Sequence, residues 1–228
     1  MDGILLVHKP SGWTSFDVVA KVRGIIKQET GQKRPKVGHT GTLDPLATGL
    51  LVLTLGSYCK RAQEFSKLDK TYEVTMKLGE NSTTGDAEGE KNHISDKQPT
   101  KSELETVLNS FLGEIRQMPP AYSAIKVNGQ RAYKLAREGK AVVLEPRSVK
   151  IYSIKMTHYT YPTVKFTAQV SSGTYIRSLV EDIGKGLDTG AYMSGLERTI
   201  VGKFSIRNAL EIDSLDINAI KRYTLLLD

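Results

Sequence analysis

A glycine-rich segment contains the side chain best suited to chemistry. Residues 38–49 read Gly-His-Thr-Gly-Thr-Leu-Asp-Pro-Leu-Ala-Thr-Gly and precede an apolar run. Because Pro45 disfavours helical backbone at Asp44, that carboxylate is expected in an extended, exposed position. Such a group could be a nucleophile or an acid–base catalyst, or it could close a turn with its own hydrogen bonds. His39 has no second histidine at helical spacing, so it indicates a turn residue or a ligand contact rather than a metal site.

Composition limits the class of protein. The 228 residues are 39% hydrophobic and 25% charged, which is typical of a folded globular chain. Cys59 is the only cysteine, which excludes a disulfide framework and a cysteine-rich zinc site. The longest apolar run, residues 50–55, has the length of a buried strand, and the N-terminus lacks the pattern of a signal peptide. We therefore expect a cytoplasmic protein with no membrane span and no metal.

The positive charge is concentrated in one stretch. The chain has a formal charge of +7, and residues 126–150 hold seven basic side chains against two acidic ones. Residues 80–105 are predominantly acidic. This segregation favours a surface that faces a polyanion, although chance clustering on a loop is the alternative.

The pattern of elements predicts an α+β fold, with a mixed, largely antiparallel sheet flanked by helices. Strands are predicted at residues 3–7, 49–55, 71–78, 147–158, 163–170 and 196–206. Helices are predicted from Thr14 or Ser15, with Phe16 and Val19 on the buried face, from a capping box at Thr100, and over 175–183. Residues 28–36 and 81–98 are expected to be polar loops. We expect a single domain, 1–228, with an inserted basic arm at 119–150 and a short tail at 202–228.

The segment around Asp44 closely resembles the catalytic motif of the TruB family of tRNA pseudouridine-55 synthases. Five further motifs of that family follow in the same order along the chain. They are Lys9-Pro10-Ser11-Gly12-Trp13-Thr14-Ser15, Asp69-Lys70-Thr71-Tyr72, Pro119-Pro120-Ala121-Tyr122-Ser123-Ala124-Ile125-Lys126, Ser172-Gly173-Thr174-Tyr175-Ile176-Arg177 and Leu196-Glu197-Arg198-Thr199. One pattern departs from the family, because its usual Thr-Asp-Thr is Ser82-Thr83-Thr84 here, while Asp86 remains.

The resemblance implies an isomerase with the pseudouridine synthase fold, which converts the T-loop uridine (U55) of tRNA to pseudouridine. It implies that Asp44 is the nucleophile, that Arg177 pairs with it, and that Tyr72 stacks on the target base. The alternative for Arg177 is a phosphate contact or a structural ion pair. Without the family, Tyr72 on an apolar strand would be interpreted as a core residue. The target nucleotide must leave the loop stack to expose its N1–C1′ bond. The reaction is redox-neutral and adds no group, so no cofactor is expected.

The same resemblance implies the contacts with RNA. His39 would contact the flipped nucleotide, and Tyr175 would be a pocket wall or a core residue. The substrate and RNA contacts expected from the motifs and the basic arm are Lys9, His39, Tyr175, Lys126, Arg131, Lys134, Arg137, Lys140 and Arg198. The partner is the T-arm of tRNA, and a monomer is expected. The residues after Val201 are too few for the C-terminal RNA-binding PUA domain that many members carry.

Two other classes of function fit the sequence less well. A non-catalytic RNA-folding module on the same fold is disfavoured by the presence of both Asp44 and Arg177. A glycosidase would need a second carboxylate beside the bond, and a two-metal nuclease would need an acidic cluster on rigid elements. The glycine-rich segment offers neither.

Overall fold

A computed structural model describes residues 1–120, 122–123, 125–127, 129–138 and 143–226. The chain divides into two compact units. Unit 1 comprises Met1–Glu73 and Leu196–Asp228, and unit 2 comprises Val74–Gly195.

The elements follow one another as a mixture of short strands and helices. The strands are β1 (Gly3–Lys9), β2 (Val37–His39), β3 (Thr48–Leu55), β4 (Lys70–Leu78), β5 (Glu80–Ser82), β6 (Lys91–His93), β7 (Gly113–Gln117), β8 (Lys126–Val127), β9 (Gln130–Arg131), β10 (Arg147–Thr160), β11 (Thr163–Val170), β12 (Ala191–Val201), β13 (Phe204–Ser205) and β14 (Leu210–Glu211). The α-helices are α1 (Ser15–Thr30), α2 (Ala62–Ser66), α3 (Lys101–Ser110), α4 (Ala132–Arg137), α5 (Ile176–Gly186) and α6 (Ile217–Tyr223). Single turns of 3-10 helix lie at Gly56–Arg61, Ile206–Asn208 and Ile212–Ser214. In the part of the chain described, no helix combines the length and apolar character needed to cross a bilayer.

The sheet of unit 1 is built around β3. β1 pairs with β3 in antiparallel register along its whole length, from Gly3 opposite Leu55 to Lys9 opposite Gly49. At its other edge β3 pairs with β2 near one end and, in parallel, with β12 near the other. β3 is therefore paired along both edges. Its side chains also enter two different apolar clusters, Leu51 and Leu53 one of them and Leu50 and Val52 the other, which explains why β3 is a nearly continuous apolar run.

Helix α1 covers one face of this sheet. Its start is confirmed: Thr14 is the N-cap, and Asp17 completes a capping box. Val18, Val22 and Ile26 pack into the core with strand residues of β1 and β3. The expectation that Phe16 faces this core is wrong, because its side chain is 63% exposed. Val18, one turn before Val22, faces inward instead.

The helix also runs further than its polar composition suggested. The predicted loop over residues 28–36 is wrong at its start, since α1 continues to Thr30 and ends at Gly31 in the left-handed conformation, φ 70°. Glycine adopts this conformation without steric cost, so it is the common residue after a helix.

The sheet of unit 2 is an antiparallel array in the order β4, β11, β10 and β7. β10 and β11 form the predicted hairpin, with a cis Tyr161–Pro162 peptide in its turn. Along β4 and β11 buried apolar residues alternate with exposed polar ones, the pattern of a half-buried strand. α3 packs on β10 and on α5, and its predicted capping box at Thr100 and Glu103 is confirmed.

Two expectations in unit 2 need correction. The predicted loop over 81–98 contains a small hairpin, β5–β6. The last long strand begins at Ala191 rather than at residue 196 and ends at Val201, and Phe204–Ser205 forms the separate strand β13. The β5–β6 hairpin was not predicted because its strands are short and polar, so they lack the alternating apolar residues that indicate a strand.

β7 and β10 are neighbours in the sheet, and the chain between them forms the basic arm. Gln117 at the end of β7 lies opposite Arg147 at the start of β10. Between them the described residues include the hairpin β8–β9 and helix α4.

Candidate functional site

Asp44 lies in the loop that joins β2 to β3 in unit 1, and its side chain is half-buried. The loop turns tightly there, because the Ala47 N–H donates to the Asp44 carbonyl over 3.1 Å. On the far side of Pro45, the Gly12 N–H donates to the Pro45 carbonyl over 2.9 Å. The carboxylate therefore projects from a backbone in which the Asp44 and Pro45 carbonyls are both hydrogen-bonded.

Lys9 ties the end of β1 to this loop. Its side chain is completely buried, and Nζ donates to the carbonyls of Pro10, Trp13 and Pro45 at 2.9, 2.7 and 3.2 Å. Burial lowers the pKa of Lys9 to about 8, while the negative charge of Asp44 acts in the opposite direction. The ammonium group is shielded from solvent and its hydrogen bonds go to backbone carbonyls. Lys9 therefore stabilises the position of this loop and is not a surface residue available to RNA.

Arg198, on β12, holds the loop from the other side. The side chain is 2% exposed, Nη2 donates to the Gly41 carbonyl over 3.0 Å and Nη1 to the Thr42 carbonyl over 3.5 Å. Nε donates to the carbonyl of Leu50 on β3 over 2.9 Å. Three separate backbone carbonyls are thus fixed by one planar guanidinium, a task suited to its rigid fork of donors.

Two further side chains near the loop, His39 and Lys70, have lowered pKa values. Burial and the charge of Arg198 lower the pKa of His39, and its Nδ1 atom has no hydrogen-bond partner among the described residues. Burial, again with Arg198, lowers the pKa of Lys70 to about 8. Lys70 is 8% exposed and donates to the carbonyls of Ser66 and Leu68. His39 is therefore neutral at neutral pH and can accept or donate a hydrogen bond.

Tyr72 lies in β4, two residues after Lys70, and is 7% exposed. The sequence left open whether this residue is core or substrate-binding. Its burial is consistent with either role, and stacking on the target base stays a prediction.

Arg177 lies in the first turn of α5, in unit 2, and is 6% exposed. Nη2 donates to the Tyr122 carbonyl over 2.7 Å, and Nη1 donates to the Thr84 carbonyl over 3.2 Å. Nη1 is also 3.7 Å from Oδ2 of Asp86, and both side chains of this ion pair are more than nine-tenths buried. The pairing of Arg177 with Asp44 expected from the family stays a prediction.

Asp86 is the residue that sequence reasoning missed at this position. Its Oδ1 accepts hydrogen bonds from the Thr84 hydroxyl, at 2.5 Å, and from the Glu88 N–H, at 3.1 Å. The signal was a single acid retained where the surrounding family pattern changes. Nothing local indicated that it would face Arg177, which is far away in sequence.

Tyr175 is the N-cap residue of α5 and is half-buried. Its backbone N–H and C=O are both hydrogen-bonded to the side chain of Gln117, at 2.8 and 3.0 Å. The Arg147 guanidinium carbon lies 5.0 Å from the centre of the tyrosine ring, a cation–π distance. The ring is partly exposed and held in place, as a pocket wall requires.

The candidates in the basic arm are only partly visible. The backbones of Lys126 and Arg131 are opposite each other in the β8–β9 hairpin. Arg137 is the last residue of α4, and Lys134 is exposed on that helix. Lys140 lies outside the described residues. Within the described parts of the chain, no three histidine, cysteine, aspartate or glutamate side chains cluster as a metal site would require.

Comparison with known proteins gives consistent matches. A family model described as TruB family pseudouridylate synthase (N terminal domain) matches residues 25–176. The chain is 47% identical to tRNA pseudouridine synthase B of Clostridium novyi (strain NT) over 228 residues, which are 100% of this chain and 77% of the relative. It is 44% identical to the protein of the same name from Pseudomonas fluorescens over 216 residues, which cover 95% of this chain and 69% of the relative.

Solved structures agree with these matches. A chain of a Cbf5–Nop10–Gar1 complex superposes with a TM-score of 0.71 at 29% identity, covering 96% of this chain and 55% of that one. A chain of an H/ACA RNP bound to a substrate RNA containing 2′-deoxyuridine gives a TM-score of 0.68 at 27% identity, covering 96% and 54%. This protein thus spans about half the length of these two solved chains. The predicted α+β fold with a mixed sheet is confirmed.

Proposed function

This chain belongs to the TruB family of pseudouridylate synthases, and on that premise we propose that it converts the T-loop uridine (U55) of tRNA to pseudouridine. The reaction is an isomerisation. The N1–C1′ bond of the uridine breaks, the uracil rotates in place, and a C5–C1′ bond forms. The proton on C5 leaves to solvent and N1 takes up a proton, so the product is an isomer of the substrate. No electrons or groups are exchanged with a second reactant, so the reaction needs no organic cofactor.

The observation that carries the proposal is the way the Asp44 loop is held. Lys9 and Gly12 bond to the Pro45 carbonyl on one side, and Arg198 bonds to the Gly41 and Thr42 carbonyls on the other. Asp44 is half-exposed between them. A fixed carboxylate avoids the cost of ordering a nucleophile at the moment of reaction, and a surface turn would not need a buried cation on each side.

We assign Asp44 the role of nucleophile. It either attacks C6 of the base or assists departure of the uracil at C1′, and the two routes require the same ionised carboxylate near the sugar–base junction. Tyr72 is proposed to stack on the base and to accept the C5 proton. Arg177 is proposed to face the substrate from the start of α5, with its remaining donors fixed by Asp86 and by the Tyr122 carbonyl.

The remaining candidates separate into two groups. The basic side chains of the arm are proposed to contact RNA phosphates; they are Lys126, Arg131, Lys134, Arg137 and Lys140. His39 and Tyr175 are proposed to line the nucleotide site. For Lys9 and Arg198 we propose support of the loop instead of the RNA contact expected from their motifs, since both side chains are buried and donate to backbone carbonyls. We further propose that the chain acts as a single catalytic domain, as a monomer, in the cytoplasm.

The direct test uses tRNA transcript labelled with tritium at C5 of uridine. Turnover releases tritium to water, and nucleotide mapping locates the product. Asp44→Asn should abolish release while the affinity for T-arm RNA stays within about tenfold, because the substitution removes charge but little shape. A wild-type protein that binds the RNA without releasing tritium would instead favour a non-catalytic tRNA-folding module. Substantial turnover by Asp44→Asn would remove Asp44 from the nucleophile role.

A further inference from the structure

The backbone next to Asp44 has a contact that the proposed reaction does not use. Leu43, the preceding residue, is 3% exposed, and its N–H donates to Oγ of Ser15 over 2.8 Å. The same hydroxyl donates to the carbonyl of Leu43 over 3.2 Å. One side chain thus satisfies both backbone groups of the residue immediately before the carboxylate.

Ser15 occupies an unusual place for such a contact. It is the first residue of α1 and is 2% exposed, so water cannot replace its hydroxyl. It does not cap the helix, because Thr14 and Asp17 already form the complete capping box. The Ser15 hydroxyl is therefore committed to the loop and not to its own helix.

The contact completes the fixing of the backbone on both sides of Asp44. The Leu43 groups are held by Ser15, the Asp44 carbonyl by the Ala47 N–H, and the Pro45 carbonyl by Gly12 and Lys9. Ser11 makes a longer contact of 3.3 Å to the Leu46 carbonyl and is exposed. Of these contacts, Ser15 is the one made by a neutral side chain on the N-terminal side of the carboxylate.

We propose that Ser15 is a positioning residue for Asp44, fixing the direction of the carboxylate through the Leu43 peptide groups. The proposal rests on the proposed function only for its kinetic consequence. Its structural consequence is independent of RNA. Without the hydroxyl, two buried backbone groups lose their partner, and the chain relieves this by letting the loop move.

The test compares Ser15→Ala with Thr14→Ala. Thr14→Ala removes the helix cap next door and leaves the loop contact in place, so it reports what destabilising the same end of α1 does alone. Hydrogen exchange of the Leu43 amide is measured in the free protein, together with the urea midpoint, the affinity for T-arm RNA and the single-turnover rate at saturating enzyme. Single-turnover conditions separate the chemical step from binding and product release.

Ser15→Ala should speed exchange of the Leu43 amide by about tenfold or more, relative to Thr14→Ala at a similar urea midpoint. Its single-turnover rate should fall by about tenfold or more, with RNA affinity changed by less than about threefold. Ser15→Thr keeps the hydroxyl and should recover most of the rate. If Ser15→Thr does not fold, Ser15→Cys, which keeps a weak donor of similar shape, should give an intermediate rate.

Two results would overturn the proposal. One is unchanged Leu43 exchange in Ser15→Ala. The other is an equal loss of rate in Thr14→Ala, which would make the effect one of general stability. If the wild type releases no tritium, the proposed function fails, and the exchange measurement still decides whether Ser15 fixes the loop.

Discussion

Nη2 of Arg198 donates a hydrogen bond to the carbonyl of Gly41 over 3.0 Å, deep in unit 1. The same guanidinium also donates to the carbonyls of Thr42 and Leu50, so one side chain holds both the start of the Asp44 loop and the first part of β3. Because this buried arginine donates its hydrogen bonds to backbone carbonyls, it fixes the position of the loop, and water does not take its place at those carbonyls.

Replacing Arg198 by lysine should damage the loop although the charge is kept. The carbonyls of Gly41, Thr42 and Leu50 are matched by three different nitrogens of the planar guanidinium, and the single nitrogen of a lysine cannot occupy those three positions. Loss of one or two charge-assisted hydrogen bonds should lower the free energy of unfolding by about 2–4 kcal/mol, as measured by urea denaturation. Arg207→Lys, at an exposed position, is the matched control and should change it by less than about 0.5 kcal/mol.

The variant Arg198→Met separates support of the loop from RNA contact. A phosphate contact would reduce the slope of log affinity against log salt by about one unit when lost. We expect an unchanged slope for T-arm RNA, because the guanidinium is buried and occupied. A reduced slope would restore the RNA-binding role expected from the motif.

The basic arm should behave in the opposite way. Arg131→Ala combined with Lys134→Ala should weaken T-arm binding and reduce the salt slope by about one to two units. The double variant Lys203→Ala with Lys221→Ala removes the same charge from exposed positions elsewhere and should leave the slope unchanged. Equal effects of the two double variants would mean that only net charge matters.

Lys9 and Lys70 should leave a signature in the dependence of stability on pH. Each has a pKa of about 8 in the folded protein, against an ordinary value of 10.5. Between these values the unfolded chain binds more protons, so the contribution of each lysine to the free energy of unfolding rises with pH, by at most about 1.4 kcal/mol per pH unit. Below pH 8 both states are charged and the cost of burying the ammonium groups is fully present.

Lys9→Met and Lys70→Met provide the comparison for that measurement. Urea denaturation across this pH window should give a less positive, or more negative, slope for each variant than for the wild type. Equal slopes in all three proteins would show that these lysines keep their ordinary pKa when folded.

Gly49 should tolerate no side chain. Its φ is +107°, and a Cβ atom would lie 2.4 Å from the carbonyl oxygen of Arg198 and 2.6 Å from its nitrogen. Gly49→Ala should therefore destabilise the protein by about 3 kcal/mol or more, or prevent folding. Gly24→Ala is the control, because this glycine lies in α1 with open space around it, and it should stabilise by about 0.5–1 kcal/mol in a thermal melt.

The sequence allowed the local features to be predicted well. The helix start at Thr14 or Ser15, the capping box at Thr100 and the alternation along β4 are short-range signals, and each is confirmed. The prediction that Phe16 is buried was wrong. At the start of a helix there is no earlier turn whose apolar residues show which face is buried. The β5–β6 hairpin was missed because its strands are short and polar.

At the site, the sequence identified which residues are involved but not which groups they contact. Lys9 and Arg198 were recognised from motifs, yet their burial and carbonyl partners depend on contacts between distant segments. The ion pair of Asp86 with Arg177 and the double hydrogen bond of Ser15 are long-range in the same sense. Patterns of neighbouring residues contain no information about such pairs.

The pairing of β7 with β10 has a consequence for how this protein can be altered. Because Gln117 and Arg147 are direct partners in the ladder, the two ends of the 118–146 segment leave the sheet about 5 Å apart, a gap that a tight hairpin turn can bridge. The Tyr122 carbonyl near the start of this segment holds Arg177, so the part after Tyr122 is the part that can be exchanged. Its replacement by an arm of another length changes loop-closure entropy only slowly. Grafting arms from other RNA-modifying proteins onto this strand pair is therefore a practical route to new substrate preference with the Asp44 loop left intact.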